Sequence, residues 1–376
     1  MGKKNINVGL IGHRFMGKAH SNALSKIGMF FDAEAKITKK AICGLEEDEV
    51  KIMAERFNWQ SYETAWEKLV SRSDIDMIDI AASTDVHKEI AIAAANEGKH
   101  VFCEKPLALN LAAAREMLEV VTKCKVKHQV GFNYRFAPAV MFAKKLIDEG
   151  RIGKIFHVRG SFLQSWLIDA DVPLMWKIDK KLCGSGALGD IGSHIIDLAR
   201  FLAGEFNSVM AMSKTFIKSR PFAGGGTADV HVDDSTIFTA EFKNGAIGIF
   251  EASRFAQGHK NDLSIEINGE LGSIKFYFER MNELHYYSAK DEPGVQGFRI
   301  IQASEEIHPY MHAWWPVGHI IGYEHTFIHE LYEYIQAIAN DTPACPSFED
   351  GVKCAQVVEA IELSCERRAA VAVDEI

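Results

Sequence analysis

The sequence lacks long hydrophobic runs. No window of its 376 residues holds ~18 consecutive apolar residues, which is the length that a membrane-spanning helix needs. The first residues lead into a strand pattern without the apolar stretch and cleavage-site pattern of a secretory signal. We therefore expect a cytoplasmic protein with no membrane partner.

An excess of positive charge is also missing. The chain carries 42 Lys and Arg against 51 Asp and Glu, which gives a net charge of −9. The basic residues are scattered along the sequence, whereas nucleic-acid-binding surfaces gather them into a stripe or patch. This distribution argues against nucleic acid as a partner and favours a small polar or uncharged ligand.

Regularly spaced cysteines are absent as well. The seven cysteines are an odd number, show no C-x-x-C spacing and mostly lie in apolar surroundings. Metal-binding and disulfide-stabilised domains space their cysteines in recognisable pairs. We interpret these residues as reduced thiols of a cytosolic protein.

Two successive patterns along the chain predict two domains, because 376 residues exceed what one hydrophobic core usually serves. Residues 6 to about 132 alternate apolar runs with helical patterns, which predicts a doubly wound parallel sheet over 1–132. Beyond Pro138, strands with period-two alternation predict a large, mostly antiparallel sheet. This α+β domain spans 133–376 and includes late helices at 323–340 and 350–368.

A glycine-containing turn between the first strand and the first helix predicts a dinucleotide site. It reads Gly12-His-Arg14-Phe15-Met16-Gly17, so the G-x-G-x-x-G pattern is kept except at its middle glycine. The helix that follows would direct its amino terminus at the pyrophosphate. With arginine in the middle, either the turn shifts outward or Arg14 bends away and offers its guanidinium to the ligand. An ordinary strand-to-helix turn is the alternative.

The end of the second strand bears on the choice of dinucleotide. An acidic residue there binds the adenosine ribose of NAD, whereas an arginine suits the phosphate of NADP. Here Leu45 and Glu46 follow the strand, and the glutamate comes one position late. Asp32 and Glu34 precede the strand and are interpreted as loop residues. Glu46 and Glu47 together would repel a phosphate, which favours NAD and leaves NADP as the alternative.

Residues after the next two buried strands complete the predicted cofactor site. The carboxyl ends of parallel strands face the ligand in sheets of this type. Ser83, Thr84 and His87 follow one strand, and Glu104 with Lys105 ends the next. We assign all five residues to cofactor binding.

Three ionisable residues suggest hydride transfer from an alcohol. Lys105 lies at the tip of a buried strand, and Asp190 and His194 are four apart on a predicted helix, where they share a face. Alcohol oxidation needs a base of near-neutral pKa and a cation that stabilises alkoxide character. We predict that these three residues are catalytic. The alternatives are a solvated strand end and a helix-face hydrogen bond.

An Asp-x-x-x-His pair can also be a fragment of a metal site. Zinc would need a third ligand, for which the candidates are His231, Asp233, Asp234 and Asp197. We expect no catalytic metal, because hydride transfer assisted by Lys105 needs none.

Polar residues after two further strands are candidates for substrate binding. Asn133, Tyr134 and Arg135 follow the sixth strand, and Gln164 and Trp166 follow a strand of the second domain. Hydrogen-bonding groups beside an apolar ring face suit a sugar. Packing between domains is the alternative for the first three.

The chain resembles the Gfo/Idh/MocA oxidoreductases over nearly its whole length. The motifs that carry the likeness are Gly12-His-Arg-Phe-Met-Gly17-Lys-Ala-His20-Ser, Glu104-Lys105-Pro, Asn133-Tyr-Arg and Gly189-Asp190-Ile-Gly-Ser-His194. The resemblance implies a Rossmann domain, an open-faced second sheet that mediates homodimer or homotetramer formation, and catalytic roles for Lys105, Asp190 and His194.

Within the family, the chain most resembles the sugar dehydrogenases. That resemblance implies NAD-linked oxidation of a secondary hydroxyl of a sugar or polyol, such as carbon 3 of levoglucosan or of a glucoside. Two other functions fit the same scaffold. One is an NAD-dependent glycosidase that oxidises carbon 3 transiently, and the other is a non-catalytic sensor of a sugar or dinucleotide.

Overall fold

A computed structural model describes residues 3–222 and 224–376. The chain forms two compact units. The first consists of the described chain up to Asn133 together with Gly322–Ala355, and the second consists of Tyr134–Ile321 with Gln356–Ile376.

The first unit is built on a six-stranded parallel sheet. Its strands are β1 (Lys4–Ile11), β2 (Ala35–Cys43), β3 (Ser61–Glu63), β4 (Met77–Ile80), β5 (His100–Glu104) and β6 (His128–Gly131). They lie in the order β3-β2-β1-β4-β5-β6, and every neighbouring pair is parallel. All four residues of β4 are buried, as expected for a strand covered on both faces. This is the strand order of a Rossmann fold.

Helices follow the strands of this sheet. They are α1 (Phe15–Phe30), α2 (Glu47–Arg56), α3 (Trp66–Val70), α4 (Thr84–Asn96) and α5 (Leu111–Cys124). Asn110 caps α5 by accepting a hydrogen bond from the amide of Ala113. By contrast, α1 has neither a capping side chain nor an acidic residue in its first turn. The first amides of α1 are therefore left for another acceptor.

The second unit is built on a nine-stranded sheet. Helices α6 (Pro138–Asp148), α7 (Lys180–Cys183) and α8 (Ser193–Ala203) also belong to this unit. The strands of the unit are β7 (Ile155–Leu163), β8 (Phe206–Lys214), β9 (Ser219–Pro221), β10 (Thr227–Asp229), β11 (Ser235–Phe242), β12 (Ile247–Ser253), β13 (Asp262–Gly269), β14 (Gly272–Tyr277), β15 (Glu283–Ser288), β16 (Arg299–Gln302) and β17 (Val371–Ala372).

The large sheet has the order β16-β15-β14-β13-β7-β12-β11-β8-β17, while β9 and β10 form a separate hairpin. Among the described strands of this sheet, β7 and β12 alone pair in parallel, and the other pairs are antiparallel. Residues of β11 alternate between buried and exposed, so that one face packs on the core and the other is open. The predicted fold class is confirmed for both parts of the chain.

The late helices are α9 (Glu324–Ala339) and α10 (Phe348–Arg367), close to the predicted ranges. The grouping of α9 differs from the predicted division at residue 132, because α9 belongs to the first unit. The ring of Phe31, just after α1, stacks on Tyr332 at 4.3 Å, and Tyr334 donates a hydrogen bond to the carbonyl oxygen of Lys127. The order of elements along the chain does not indicate that α9 packs with the first unit.

No helix in the described ranges is both long enough and apolar enough to cross a bilayer.

Within residues 3–222 and 224–376, four histidines accept hydrogen bonds from backbone amides through Nδ1. His100 accepts from Lys127, His128 from Phe348, His308 from Glu305 and His325 from Gly322, at 3.0 to 3.1 Å. An accepting nitrogen carries no proton, so protonation would break these bonds. Burial lowers the pKa of all four rings, and that of His128 falls from 6.5 to about 4.

Acid should therefore destabilise the fold. Between pH 6.5 and about 4, the His128 ring binds a proton in the unfolded chain and stays neutral in the folded protein. The free energy of unfolding is therefore highest above pH 6.5 and decreases as the pH falls through this range. In His128→Asn the side-chain oxygen can replace Nδ1 as a non-titrating acceptor. Urea unfolding at pH 7 and pH 5 should show this variant losing about 2 kcal/mol less than the parent protein. Equal losses would contradict the assignment.

Candidate functional site

Two glycines let the turn after β1 pass close to its neighbours. Gly12 has a φ of +112°, and a Cβ there would lie 2.3 Å from the carbonyl oxygen of Ala81. A Cβ on Gly17 would lie 2.0 Å from the carbonyl oxygen of Gly12. Both distances are impossible for real atoms, so these positions require glycine. The outer glycines of the sequence motif therefore have the steric roles expected of a dinucleotide-binding turn.

The arginine at the middle position bends away from the turn. The Arg14 side chain is 70% exposed, and its guanidinium donates a hydrogen bond to Glu46 at 3.0 Å and lies 3.5 Å from Glu49. The partners of Arg14 are thus carboxylates of the protein, and the contact of its guanidinium with a ligand stays a prediction. Phe15 beside it is 67% exposed, and Met16 is partly buried.

The end of β2 is acidic. Leu45 is exposed, and Glu46 is the residue immediately before α2. The ring Nε2 of His13 lies 2.9 Å from Glu49 and 3.7 Å from Glu46. In the described part of the chain these three residues form a group whose ligand atoms lie within 4.8 Å of one another, as a metal site would need. Arg14 contacts both carboxylates and offsets part of their charge within the protein.

His87 connects two loops at the carboxyl ends of β4 and β5. Its ring nitrogens lie 3.1 Å from the carbonyl oxygens of Ala82 and Pro106. Burial lowers its pKa, and a neutral ring donates through only one nitrogen. Ser83 is the residue before α4, and Thr84 begins this helix in a buried position.

The turn after β5 holds the predicted lysine. Glu104 is buried, and one of its carboxylate oxygens accepts a hydrogen bond from the backbone amide of Lys105 at 3.1 Å. Lys105 itself is partly buried. Asn133 follows β6 and donates a hydrogen bond to Thr326 at 2.9 Å.

In the second unit, a row of hydrogen bonds joins the predicted substrate residues. Trp166 donates to Gln164 at 2.9 Å, Gln164 donates to Asn261 at 2.9 Å, and Asn261 donates to the Tyr134 hydroxyl at 3.3 Å. The Tyr134 ring meets the His194 ring edge-on, with centroids 4.5 Å apart. The structure therefore brings Tyr134, Gln164, Trp166 and His194 together. Asn261 is a member that the sequence analysis missed.

Asp190 lies in a π turn, Leu188–Gly192, that directly precedes α8. Asp233 stabilises the approach to this turn, because its carboxylate accepts hydrogen bonds from the amides of Gly186 and Leu188, both at 2.9 Å. A Cβ on Gly186 would lie 2.0 Å from the Asp233 carbonyl oxygen, so glycine is required there. Such π turns are frequent at functional sites.

Two cations that the sequence analysis missed contact Asp190. Lys177 lies 3.3 Å from its carboxylate, and the buried Arg254 lies 3.8 Å away. Lys177 belongs to a single turn of 3-10 helix, Trp176–Ile178, which is too short to show periodicity in the sequence. Arg254 had a signal, because it follows β12 as closely as Gln164 follows β7, and these two strands are parallel neighbours.

Arg135 and Asp197 form a buried ion pair. Two guanidinium nitrogens of Arg135 donate to the two carboxylate oxygens of Asp197 at 2.7 and 2.5 Å. The bond of Asn133 to Thr326 lies within the first unit and the pair of Arg135 and Asp197 lies within the second, so neither is the packing between domains that was the alternative, and their substrate role stays a prediction. The pairing of Asp197 and the amide contacts of Asp233 argue against their use as zinc ligands.

The predicted catalytic residues are divided between the units. Lys105 belongs to the first unit, and Asp190 and His194 belong to the second. The first unit also holds the predicted dinucleotide turn.

Comparison with known proteins agrees with this division. Residues 6–132 match the protein family described as oxidoreductase family, NAD-binding Rossmann fold, and residues 140–275 match the GFO/IDH/MocA C-terminal domain. The chain is 41% identical to levoglucosan dehydrogenase of Pseudarthrobacter phenanthrenivorans, with 99% of each protein covered. It is 28% identical to myo-inositol 2-dehydrogenase of Thermotoga maritima, again over 99% of each.

Solved structures give the same result. A levoglucosan dehydrogenase in complex with NADH and levoglucosan superposes with a TM-score of 0.96 at 42% identity, covering 99% of this chain and 100% of that one. An oxidoreductase domain protein from Kribbella flavida gives a TM-score of 0.96 at 44% identity, covering 98% and 99%. The chain therefore belongs to the GFO/IDH/MocA family of NAD-dependent oxidoreductases.

Proposed function

We propose that this enzyme oxidises a secondary hydroxyl of a sugar to a ketone and reduces NAD, with carbon 3 of a pyranose such as levoglucosan or a glucoside as the reacting position. The observation that carries the proposal is the full-length similarity to levoglucosan dehydrogenase at 41% identity. The hydrogen-bonded row from Trp166 to Tyr134 supports it, because a sugar needs several donors and acceptors beside an apolar ring.

The first unit has the features that NAD requires. Glycine at positions 12 and 17 lets the turn pack against the backbone of Ala81 and fold back on itself, as a dinucleotide-binding turn does, and the uncapped amides of α1 suit the charge of a pyrophosphate. The exposed Glu46 suits the ribose hydroxyls. The other residues that we assign to the cofactor are Arg14, Phe15, Met16, Leu45, Ser83, Thr84, His87, Glu104 and Lys105.

NAD supplies the acceptor for the hydride that leaves the substrate carbon. In our proposal His194 takes the hydroxyl proton, and the Lys105 ammonium stabilises the alkoxide character that develops on the oxygen. Asp190 accepts a hydrogen bond from the substrate. Lys177 and Arg254 orient the Asp190 carboxylate for that purpose.

We also propose that two copies of the chain associate through the open face of the large sheet. Met210 and Met212 of β8, Ile237 of β11, and Ile247 and Ile249 of β12 are all at least 49% exposed. Strands β8, β11 and β12 are neighbours, so these side chains form one apolar patch on the outer face. Continuous apolar patches of this kind mark protein interfaces. The cysteine pattern supports a cytoplasmic location.

The enzyme should form NADH when it is incubated with NAD and levoglucosan, glucose, inositols or glucosides. Absorbance at the NADH band measures turnover, and no NADH with any of these substrates would contradict the proposal. Cleavage of a glycoside without net NADH would support the glycosidase instead.

Lys105→Met or His194→Gln should lower kcat by about 10²- to 10⁴-fold. The matched control is Lys123→Met, at an exposed lysine of α5, which should leave the rate unchanged.

NAD should be preferred to NADP because the carboxylates near Glu46 repel the additional phosphate. Glu46→Ser removes one carboxylate and one partner of Arg14, and should raise the NADP-to-NAD ratio of kcat/KM by about tenfold or more. Glu55→Gln, at an exposed glutamate near the end of α2, is the matched control. An unchanged ratio in Glu46→Ser would show that this carboxylate does not select the cofactor.

A charge in the apolar patch should prevent association. We expect Ile249→Lys to sediment as a smaller species than the parent protein, because a buried unpaired ammonium costs several kcal/mol. Ile52→Lys, at an exposed isoleucine of α2, should leave the assembly intact. A parent protein that sediments as a monomer would overturn this part of the proposal.

A further inference from the structure

A row of three buried ionisable side chains leads to Lys105 from the interior of the first unit. His20 on α1 lies between Asp79 on β4 and Glu104 on β5. Its Nδ1 is 2.9 Å from Asp79, and its Nε2 is 3.1 Å from Glu104. His20 and Asp79 are fully buried and Glu104 is 4% exposed. The chemistry proposed above gives no role to His20 or Asp79.

The charges in this row are held in place by their mutual contacts. Burial alone would lower the pKa of His20, but the carboxylates of Asp79 and Glu104 hold it well above the ordinary value. An imidazolium donates through both nitrogens, so each contact is a charge-assisted hydrogen bond. The rings of Phe102 and Phe327 lie 5.5 and 5.7 Å from the His20 ring and shield it from water.

Glu104 links His20 to the backbone of Lys105. One carboxylate oxygen contacts His20, and the other accepts the backbone amide of Lys105 at 3.1 Å. A Cβ on Gly131 would lie 2.9 Å from the carboxylate oxygen that contacts His20, so glycine at that position of β6 leaves room for this arrangement. The carboxylate is thus fixed from both sides, and the backbone at Lys105 is fixed with it.

We propose that His20 is a positioning residue that acts through Glu104 and sets the direction in which Lys105 leaves β5. This inference rests on the proposed function, in which Lys105 acts on the sugar hydroxyl. It also goes beyond that function, because it gives a role to a residue in the interior of the sheet. Misplacing a reacting group by about 1 Å can lower a rate about 10²-fold.

Two conservative substitutions separate the two contacts of His20. In His20→Gln the amide nitrogen replaces Nε2 and keeps the donor to Glu104, whereas in His20→Asn it replaces Nδ1 and keeps only the donor to Asp79. We expect His20→Asn to lose about 10- to 100-fold in kcat and His20→Gln to stay within about threefold of the parent enzyme. Both variants remove the same charge, so their melting temperatures should fall together. Equal kcat losses in the two variants would overturn the proposal.

A second measurement does not depend on turnover. Amide hydrogen exchange at Lys105 should be faster in His20→Asn than in the parent and unchanged in His20→Gln, and equal exchange in both variants would overturn the positioning role. If the parent enzyme oxidises no sugar, the proposed function fails while this exchange still tests the inference. Should His20→Asn not fold, Glu104→Asp replaces it. Its carboxylate is one methylene too short to reach both His20 and the Lys105 amide, so the same losses are expected.

Discussion

Parallel pairing of the strands in the first sheet is the constraint on which the rest of the candidate cofactor site depends. It places the carboxyl ends of β1, β2, β4, β5 and β6 at one edge. Every loop that follows these strands then contributes to the same region, although the loops are far apart in sequence. The glycines after β1, the glutamate after β2 and the lysine after β5 acquire a common role only through this geometry.

The same rule operates once in the second unit. Strands β7 and β12 are parallel neighbours there, and their carboxyl ends place Gln164 and Arg254 at one edge of the sheet. Arg254 then lies near Asp190, and Gln164 begins the hydrogen-bonded row that leads to Tyr134. An antiparallel pair would have sent the two side chains to opposite ends. The parallel pair β7 and β12 is thus the part of the sheet that brings the polar side chains of Gln164 and Arg254 to one edge.

Much of this could be predicted from the sequence, because strand ends are visible as apolar runs followed by polar residues. The fold class and the selection of Tyr134, Gln164 and Trp166 as candidates follow from that signal, whereas His194 was found through its helical spacing from Asp190. Lys177 could not be found, since the 3-10 turn that contains it is too short to show periodicity. The orientation of Arg14 was left open, because its carboxylate partners follow the next strand and only tertiary structure brings them near. Likewise, nothing in the order of elements shows that α9 returns to the first unit, where aromatic contacts hold it.

Direct transfer of hydride from a ring carbon of a sugar is the central claim of this account. It is tested most directly by incubating the enzyme with NAD and levoglucosan deuterated at carbon 3, and then measuring the mass of the reduced cofactor. The account predicts NADH that carries one deuterium per turnover. Reduced cofactor without deuterium would contradict oxidation at that carbon, and the absence of reduced cofactor would contradict levoglucosan as a substrate.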